Sequence, residues 1–482
     1  MSGNVAQRQD WRRIAHDNRA FLVLLGLGLL LRVVTTLLYH PAALQANDIL
    51  RYTRAEPSGF FGDPYSPAGY TAFLRAIFFF SSNLSVTIVV QHLLGLVSGT
   101  FAYLMVKRVS GIAWLGLIPA ALVMFSGDYL FLESTLLSET LFTTLLIMAM
   151  WAALHALGDE HPSRWLAASS LLMMMATLVR PITLEIPLVL AAWAAIALGG
   201  TLRERATMAL ASIVPAGLLL IAYLVIATAI GPYSGINEMT GWNLYSRVAP
   251  FADCSKFTPP KGTRKLCESK PTELRYGPFY YSWVRESVGR ENFHLDPEGS
   301  EELEGFARAA ILGQPLSYLK VVTKDMLRYI DPEVGHSLGF DGIPYSFYHF
   351  EFKEPGQEER VGERLEEKGY TDVLPTHFGG VELLQTYQEV FHLGGLPVLF
   401  MAILAMVGMV IDCGRRRAAI VLLSVVAFLQ YLLPVMTLSY DVRYGWPPAP
   451  LLTAAAVLSC LGIYQRFFSK SVKPPGAVAT AA

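Results

Sequence analysis

The sequence predicts an all-α polytopic membrane protein with about ten transmembrane helices and a mixed extracytoplasmic insertion, and three observations carry that prediction. The composition is apolar: 53% of the 482 residues are hydrophobic and 16% are charged, where a soluble domain carries about a quarter charged residues. The mean hydropathy is +0.40. Apolar runs close to the ~20 residues needed to cross a bilayer core recur along the chain, and backbone exposed to lipid must be helical to satisfy its own hydrogen bonds. Basic residues, finally, fall in alternate connections. The formal net charge of −1 matters less than that placement, and nothing in it points to nucleic acid.

The first run is Ala20 to Tyr39; it contains Arg32 and no small-residue cleavage site, so it reads as a span and not as a signal peptide. Leu84 to Val106 ends at Lys107 and Arg108, and Ile112 to Phe125 and Leu136 to Leu157 follow as a pair. Trp165 to Val179, Ile182 to Gly200 and Met208 to Ile230 come next, with Arg203, Glu204 and Arg205 between the last two. Val390 to Ile411, Ala418 to Leu438 and Pro448 to Tyr464 complete the set, with Arg415, Arg416 and Arg417 in the first gap and Arg466, Lys470 and Lys473 in the tail. Placing Arg8, Arg12, Arg13 and Arg19 in the cytoplasm makes every second connection a short basic loop. Both termini are then cytoplasmic in a plasma membrane, and residues 40–83, 126–135, 231–389 and 439–447 face outward. The chain divides into an N-terminal transmembrane region (1–230) carrying the first outer loop (40–83), an extracytoplasmic insertion domain (231–389), and a C-terminal transmembrane region with a tail (390–482).

An outer connection of that length is far above ordinary loop lengths and reads as a folded insertion. Cys254 and Cys267 fall inside it, close enough to form a disulfide in an oxidising compartment. Glu301 to Tyr329 reads as two amphipathic helices broken at Gly313 to Pro315, the second with Leu319, Val322, Met326 and Ile330 opposite Lys320, Lys324 and Arg328. Phe350 to Gly369 is charge-dense and reads as a solvated face or mobile loop. In the first outer loop, a turn region at Glu56 to Pro67 leads into Ala68 to Phe80, an aromatic amphipathic stretch too short to span, which reads as lying along the membrane surface.

Ionisable side chains near membrane depth are costly, so each is a functional candidate. Arg32, Glu139, Arg180, Glu185 and Arg443 qualify. On the topology above, Arg180 and Arg443 emerge on the same face as Asp48, so an acid and two cations converge on one cavity. A carboxylate there can take a proton from an acceptor, and arginine forks suit a departing phosphate. The bland alternatives are a solvated Asp48, snorkelling arginines, and Glu139 as a structural partner. Asp63, before Pro64, is explained by turn chemistry, and Asp128 by a helix end. The first outer loop has no D-x-D pair, and the chain has no His or Cys cluster with metal spacing, no P-loop and no G-x-G-x-x-G. The sequence thus implies no certain cofactor, does not support a divalent cation, and requires energy to arrive in the substrate.

Asn47, Asp48, Ile49, Leu50, Arg51 and Tyr52 after the first span, followed by Pro67, Ala68, Gly69 and Tyr70, resemble the C-type (GT-C) membrane glycosyltransferases, in the branch shared by protein O-mannosyltransferases and lipid A aminoarabinose transferases. Glu133 to Phe142 is similar to that family's third-to-fourth-span region, and Arg443, Tyr444, Pro447 and Pro448 to its late arginine-tyrosine and proline motif. The resemblance implies transfer of a sugar from a polyprenyl-phosphate donor to an extracytoplasmic glycan, lipid or protein, with inversion and with Asp48 as base. Arg51, Tyr52, Glu139, Arg180, Arg443 and Tyr444 are the implied substrate-binding set. The chain departs from the family in lacking an Asp-Glu pair, since Asn47 and Ile49 flank Asp48. A multi-span transporter or flippase, or an envelope polysaccharide polymerase or ligase, are the competing readings, although no internal repeat of the transporter kind is visible.

Overall fold

The structure, a computed structural model, describes residues 18–44, 48–53, 60–233, 236–293, 297–331, 349–350, 357–374, 376–377 and 380–468. Every apolar run of the sequence is helical. These are α1 (Arg19–Leu38), the short α2 (Asp48–Tyr52), α3 (Gly69–Phe80), α4 (Leu84–Ser110), α5 (Ala113–Phe125), α6 (Gly127–Glu133), α7 (Glu139–His155), α8 (Pro162–Val179), α9 (Ile186–Ala197) and α10 (Leu202–Ile230). The middle of the chain forms α11 (Thr240–Val248), α12 (Pro278–Trp283), α13 (Val288–Phe293), α14 (Ser300–Gly313) and α15 (Pro315–Arg328). Then follow α16 (Gln357–Glu367), α17 (Val381–Val390), α18 (Gly395–Ile411), α19 (Gly414–Thr437) and α20 (Ala449–Phe467). Two-residue strands β1 (Tyr39–His40) and β2 (Thr376–His377) pair antiparallel, Tyr39 opposite His377.

Among the described residues, six segments are long and apolar enough to cross a membrane, seven if α5 and α6, bent by 54°, form one broken span. The chain is a polytopic membrane protein. Of the expected spans, α7, α8 and α9 enter neither count; α7 and the segment Pro181–Ala197 are shorter apolar helices. Burial sorts the bundle: only 11% of the apolar window of α10 is buried, against 83% of the segment Val442–Phe467. The last helix is therefore the central post and α10 a peripheral one, with Leu210 and Leu218 exposed on its outer face. Boundaries moved where polar chemistry decides them. The run expected from Leu136 begins its helix only at Glu139, because Thr135 joins an isolated bridge to Ala43. Of the basic residues that set the expected orientation, Arg8, Arg12, Arg13, Lys470 and Lys473 lie outside the described residues.

Within the bundle, Arg32 of α1 is 2% exposed. It donates to the carbonyls of Gly28 and Met124 at 3.0 Å and pairs with Glu133 Oε1 at 2.6 Å. The other Glu133 oxygen lies 2.9 Å from His92 Nδ1. A Cβ on Gly95 would stand 1.8 Å from Glu133 Oε1, so glycine there makes room for the carboxylate.

A second apolar core gathers Trp242, Tyr245, Leu266, Tyr281, Leu303 and Phe306, and Cys254 and Cys267 form a disulfide beside it. The two amphipathic helices form as expected, with a corrected orientation for α15. Leu319 is 58% exposed, while Arg328 turns inward to Asp325 at 3.4 Å, because Asp325 is buried against Arg247 and draws cations toward it. Of the two readings of the charge-dense stretch, Gln357–Glu367 keeps the solvated face and corrects the mobile loop: α16 buries Val361 and Leu365, Tyr39 donates to Glu358 at 2.8 Å, and Arg360, Glu363 and Arg364 lie exposed. Its charged residues are one face of a packed helix. Residues 351–356 lie outside the described residues.

Candidate active site

A five-residue helix has no stability of its own in water, so α2 is held by its surroundings. Ile49 and Tyr52 are buried, Thr53 Oγ1 donates to the Ile49 carbonyl at 2.8 Å, and Lys368 Nζ donates to the Leu50 carbonyl at 2.8 Å and to Thr53 Oγ1 at 3.2 Å. That anchoring leaves Asp48 and Arg51, three residues apart, on one face of α2.

Arg443 and Arg180 reach the same cluster from elements distant in sequence. Asp48 Oδ1 accepts from Arg51 at 2.8 Å and Oδ2 from Arg443 at 3.0 Å. Arg443 sits in the 3₁₀ turn Val442–Gly445, whose start is capped by Asp441: Oδ1 accepts from the Arg443 N–H at 3.1 Å, and Oδ2 from its Nε at 3.0 Å. Arg180 follows the last residue of α8 in extended conformation (φ −146°, ψ 122°). It pairs with Glu139, donates to Ser138 Oγ at 3.3 Å and lies 4.9 Å over the Tyr444 ring. Glu139 is also 3.4 Å from Arg443 Nε. Tyr52 closes the floor, its hydroxyl 3.4 Å from Ser138 Oγ.

Asp48, Arg51, Tyr52, Glu139, Arg180, Arg443 and Tyr444, the residues singled out in the sequence, thus lie in one cluster. Asp441, Ser138 and Tyr65 join it without having been marked there, and Asp63 does more than its turn requires. It accepts from the Tyr65 N–H at 3.0 Å as the turn predicts, but its other oxygen also accepts from Arg51 at 3.1 and 3.2 Å. The signal for Asp441 was present, an acid two residues before Arg443; a pair that close in a short loop reads as solvated. Glu185 is not brought in: it is exposed just before α9. Arg32 belongs to the separate pair with Glu133, and Asp128 caps a turn by accepting from the Leu393 N–H at 2.7 Å. Asn47 lies outside the described residues.

Electrostatically the cluster sets Arg51, Arg180 and Arg443 against Asp48, Asp63, Glu139 and Asp441. Burial pushes the Asp48 carboxyl up, but Arg51 and then Arg443 more than offset it and hold it at about 2. It is a carboxylate at any ordinary pH. Burial raises the Tyr65 hydroxyl to about 12, against the pull of Arg51, so it remains a proton donor. Among the described residues, no three His, Cys, Asp or Glu side chains are grouped so as to hold a metal ion. Chemically, the cleft offers a charged carboxylate for a proton and forked cations for an anion.

No known protein family and no curated protein matches the chain. Three solved structures illustrate what it is similar to. The oligosaccharyltransferase of Archaeoglobus fulgidus, in its apo form, aligns with 13% identity over 95% of this chain and 51% of its own, at a TM-score of 0.44. The same organism's AglB in complex with an inhibitory peptide and a dolichol-phosphate aligns at a TM-score of 0.41 and 13% identity, over 92% and 50%. ArnT from Cupriavidus metallidurans bound to undecaprenyl phosphate aligns at 0.37 and 13%, over 92% and 78%. The chain spans about half the length of the oligosaccharyltransferase. At such scores the overall likeness carries no functional argument, and the assignment rests on the side chains that meet around Asp48.

Proposed function

We propose that the protein is a membrane glycosyltransferase that moves a sugar from a polyprenyl-phosphate donor to an extracytoplasmic acceptor. The observation that carries this reading is the contact of Asp48 with Arg443, 395 residues apart in sequence, at 3.0 Å: a base and a phosphate-binding fork share one hydrogen bond. The cleft is taken to open on the outer face, with both termini cytoplasmic, and the division 1–230, 231–389 and 390–482 goes with that orientation.

In this mechanism the donor phosphate competes with Asp48 for Arg443, while Arg180, already stacked on Tyr444, receives the phosphate from the other side. Withdrawal of Arg443 leaves Oδ2 of Asp48 uncovered beside the acceptor hydroxyl. The acceptor oxygen then bonds to the anomeric carbon as the bond from that carbon to the phosphate oxygen breaks. The electron pair leaves on the phosphate, where the arginines stabilise it, and the hydroxyl proton passes to Asp48. Attack opposite the leaving group inverts the anomeric carbon.

The test incubates purified protein with radiolabelled polyprenyl-phosphate monosaccharides and a membrane extract. Wild type transfers label, and Asp48→Asn lowers the rate by about a hundredfold or more, the scale of a lost general base. Equal transfer by the variant removes Asp48 from the reaction, and no transfer from any donor favours a transporter.

A further inference from the structure

The cleft has an aromatic side. Tyr65 lies between Arg51 and Trp283: the Arg51 guanidinium carbon is 4.7 Å from its ring centroid, and its ring stacks on Trp283 with centroids 5.8 Å apart and planes 25° apart. Trp283 ends α12 and is 43% exposed although its neighbour Tyr281 is 1% exposed. That exposure is unusual for an indole flanked by a packed core, which would ordinarily bury it. The Tyr65 hydroxyl is buried and, among the described residues, makes no hydrogen bond, a state that ordinarily costs stability and calls for a partner. Asp48, Arg51, Tyr65 and Trp283 are therefore joined by successive contacts that run from the carboxylate to a half-exposed indole between 231 and 389. The insertion is tied to this row of side chains by the Glu238 N–H, which donates to the Pro64 carbonyl at 2.8 Å.

We propose that this row of side chains is an acceptor subsite and that the acceptor is a glycan of two or more sugar rings, its accepting hydroxyl at Asp48 and a further ring stacked on Trp283. The proposal rests on the glycosyltransferase reading above. The apolar C–H face of a pyranose fits a flat aromatic face, and its ring hydroxyls can partner Tyr65. Arg51 lies 4.7 Å from the Tyr65 ring centroid and Trp283 5.8 Å beyond that centroid, so the indole meets the site through an intervening ring, and it is a further ring of the acceptor, not the one that carries the accepting hydroxyl, that stacks there.

The test uses the full-length protein in detergent, a transferred radiolabel and a total envelope extract as acceptor, with the product divided by exhaustive protease digestion. The label is expected in protease-resistant glycan. Trp283→Ala is expected to raise the half-saturating acceptor concentration at least tenfold, Trp283→Phe to restore most of it, and neither to change half-saturation by the donor. Label recovered in protease-sensitive protein overturns the glycan acceptor while leaving the transferase reading intact. Unchanged acceptor saturation in Trp283→Ala overturns the platform. Loss of all transfer in wild type tests the earlier reading instead; in that case an equal tryptophan-fluorescence response of wild type and Trp283→Ala to chitotriose overturns the subsite independently.

Discussion

Asp48 meets an arginine on each of its carboxylate oxygens, and this makes its basicity depend on what else those arginines touch. With Arg51 and Arg443 in place its carboxyl titrates at about 2 instead of 3.8, so the ion pairs contribute stability that is fully present above about pH 4 and is lost as pH falls toward 2. For Arg443→Gln, one cation is gone while burial still raises the carboxyl, so the acid limb of the transfer rate should move to higher pH by about a unit or more. A pH–rate profile at saturating donor checks this, and an unmoved limb would exclude Arg443 from tuning the base. Much at this scale was legible: Arg180 and Arg443 were candidates because charge near membrane depth is expensive, and Asp48 because the expected topology puts it on the same face. Asp441 and Asp63 were not, since folding brings the arginines they accept from, Arg443 and Arg51, into one cluster.

At the scale of helices, the packing of α4 on α6 is decided by one missing methyl group. Gly95→Ala would push a Cβ into Glu133 and is expected to cost about 1–3 kcal/mol by overpacking, read as a lower melting temperature in detergent. Arg32→Met, which leaves the buried Glu133 carboxylate with His92 but without its arginine, should cost more, about 3–5 kcal/mol, and the double variant Arg32→Met with Glu133→Leu should recover part of that loss. Equal melting of the single and double variants would show that the pair is not energetically coupled. The sequence marked Arg32 as functional by its depth. Its partner was invisible because Glu133 ends a seven-residue helix beyond a bend of 54°, and no apolar run records a bend. Helical periodicity likewise placed α14 and α15 correctly but could not foresee that buried Asp325 would rotate Arg328 inward.

Across the whole molecule, the spans were readable because each carries its own signal in a run of apolar residues, while the insertion's packing depends on pairings between distant segments. The disulfide is the exception, two cysteines 13 residues apart, and a loop of that size is worth about 3 kcal/mol in chain entropy. Cys254→Ser with Cys267→Ser should therefore make the insertion more susceptible to limited proteolysis while leaving the bundle's melting temperature close to that of wild type. Protection equal to wild type would mean that the second core holds without it.

The distance in sequence between Asp48 and Arg443 also has a consequence for biosynthesis. Asp48 leaves the ribosome 395 residues before Arg443, which arrives only when the connection before α20 has been made. A nascent chain halted anywhere earlier holds the base without the fork, so on the proposed mechanism it is inert toward lipid-linked sugar. Donor in the membrane is then consumed only by chains that already carry Arg443, and separately expressed halves divided within 231–389 would gain activity only on meeting.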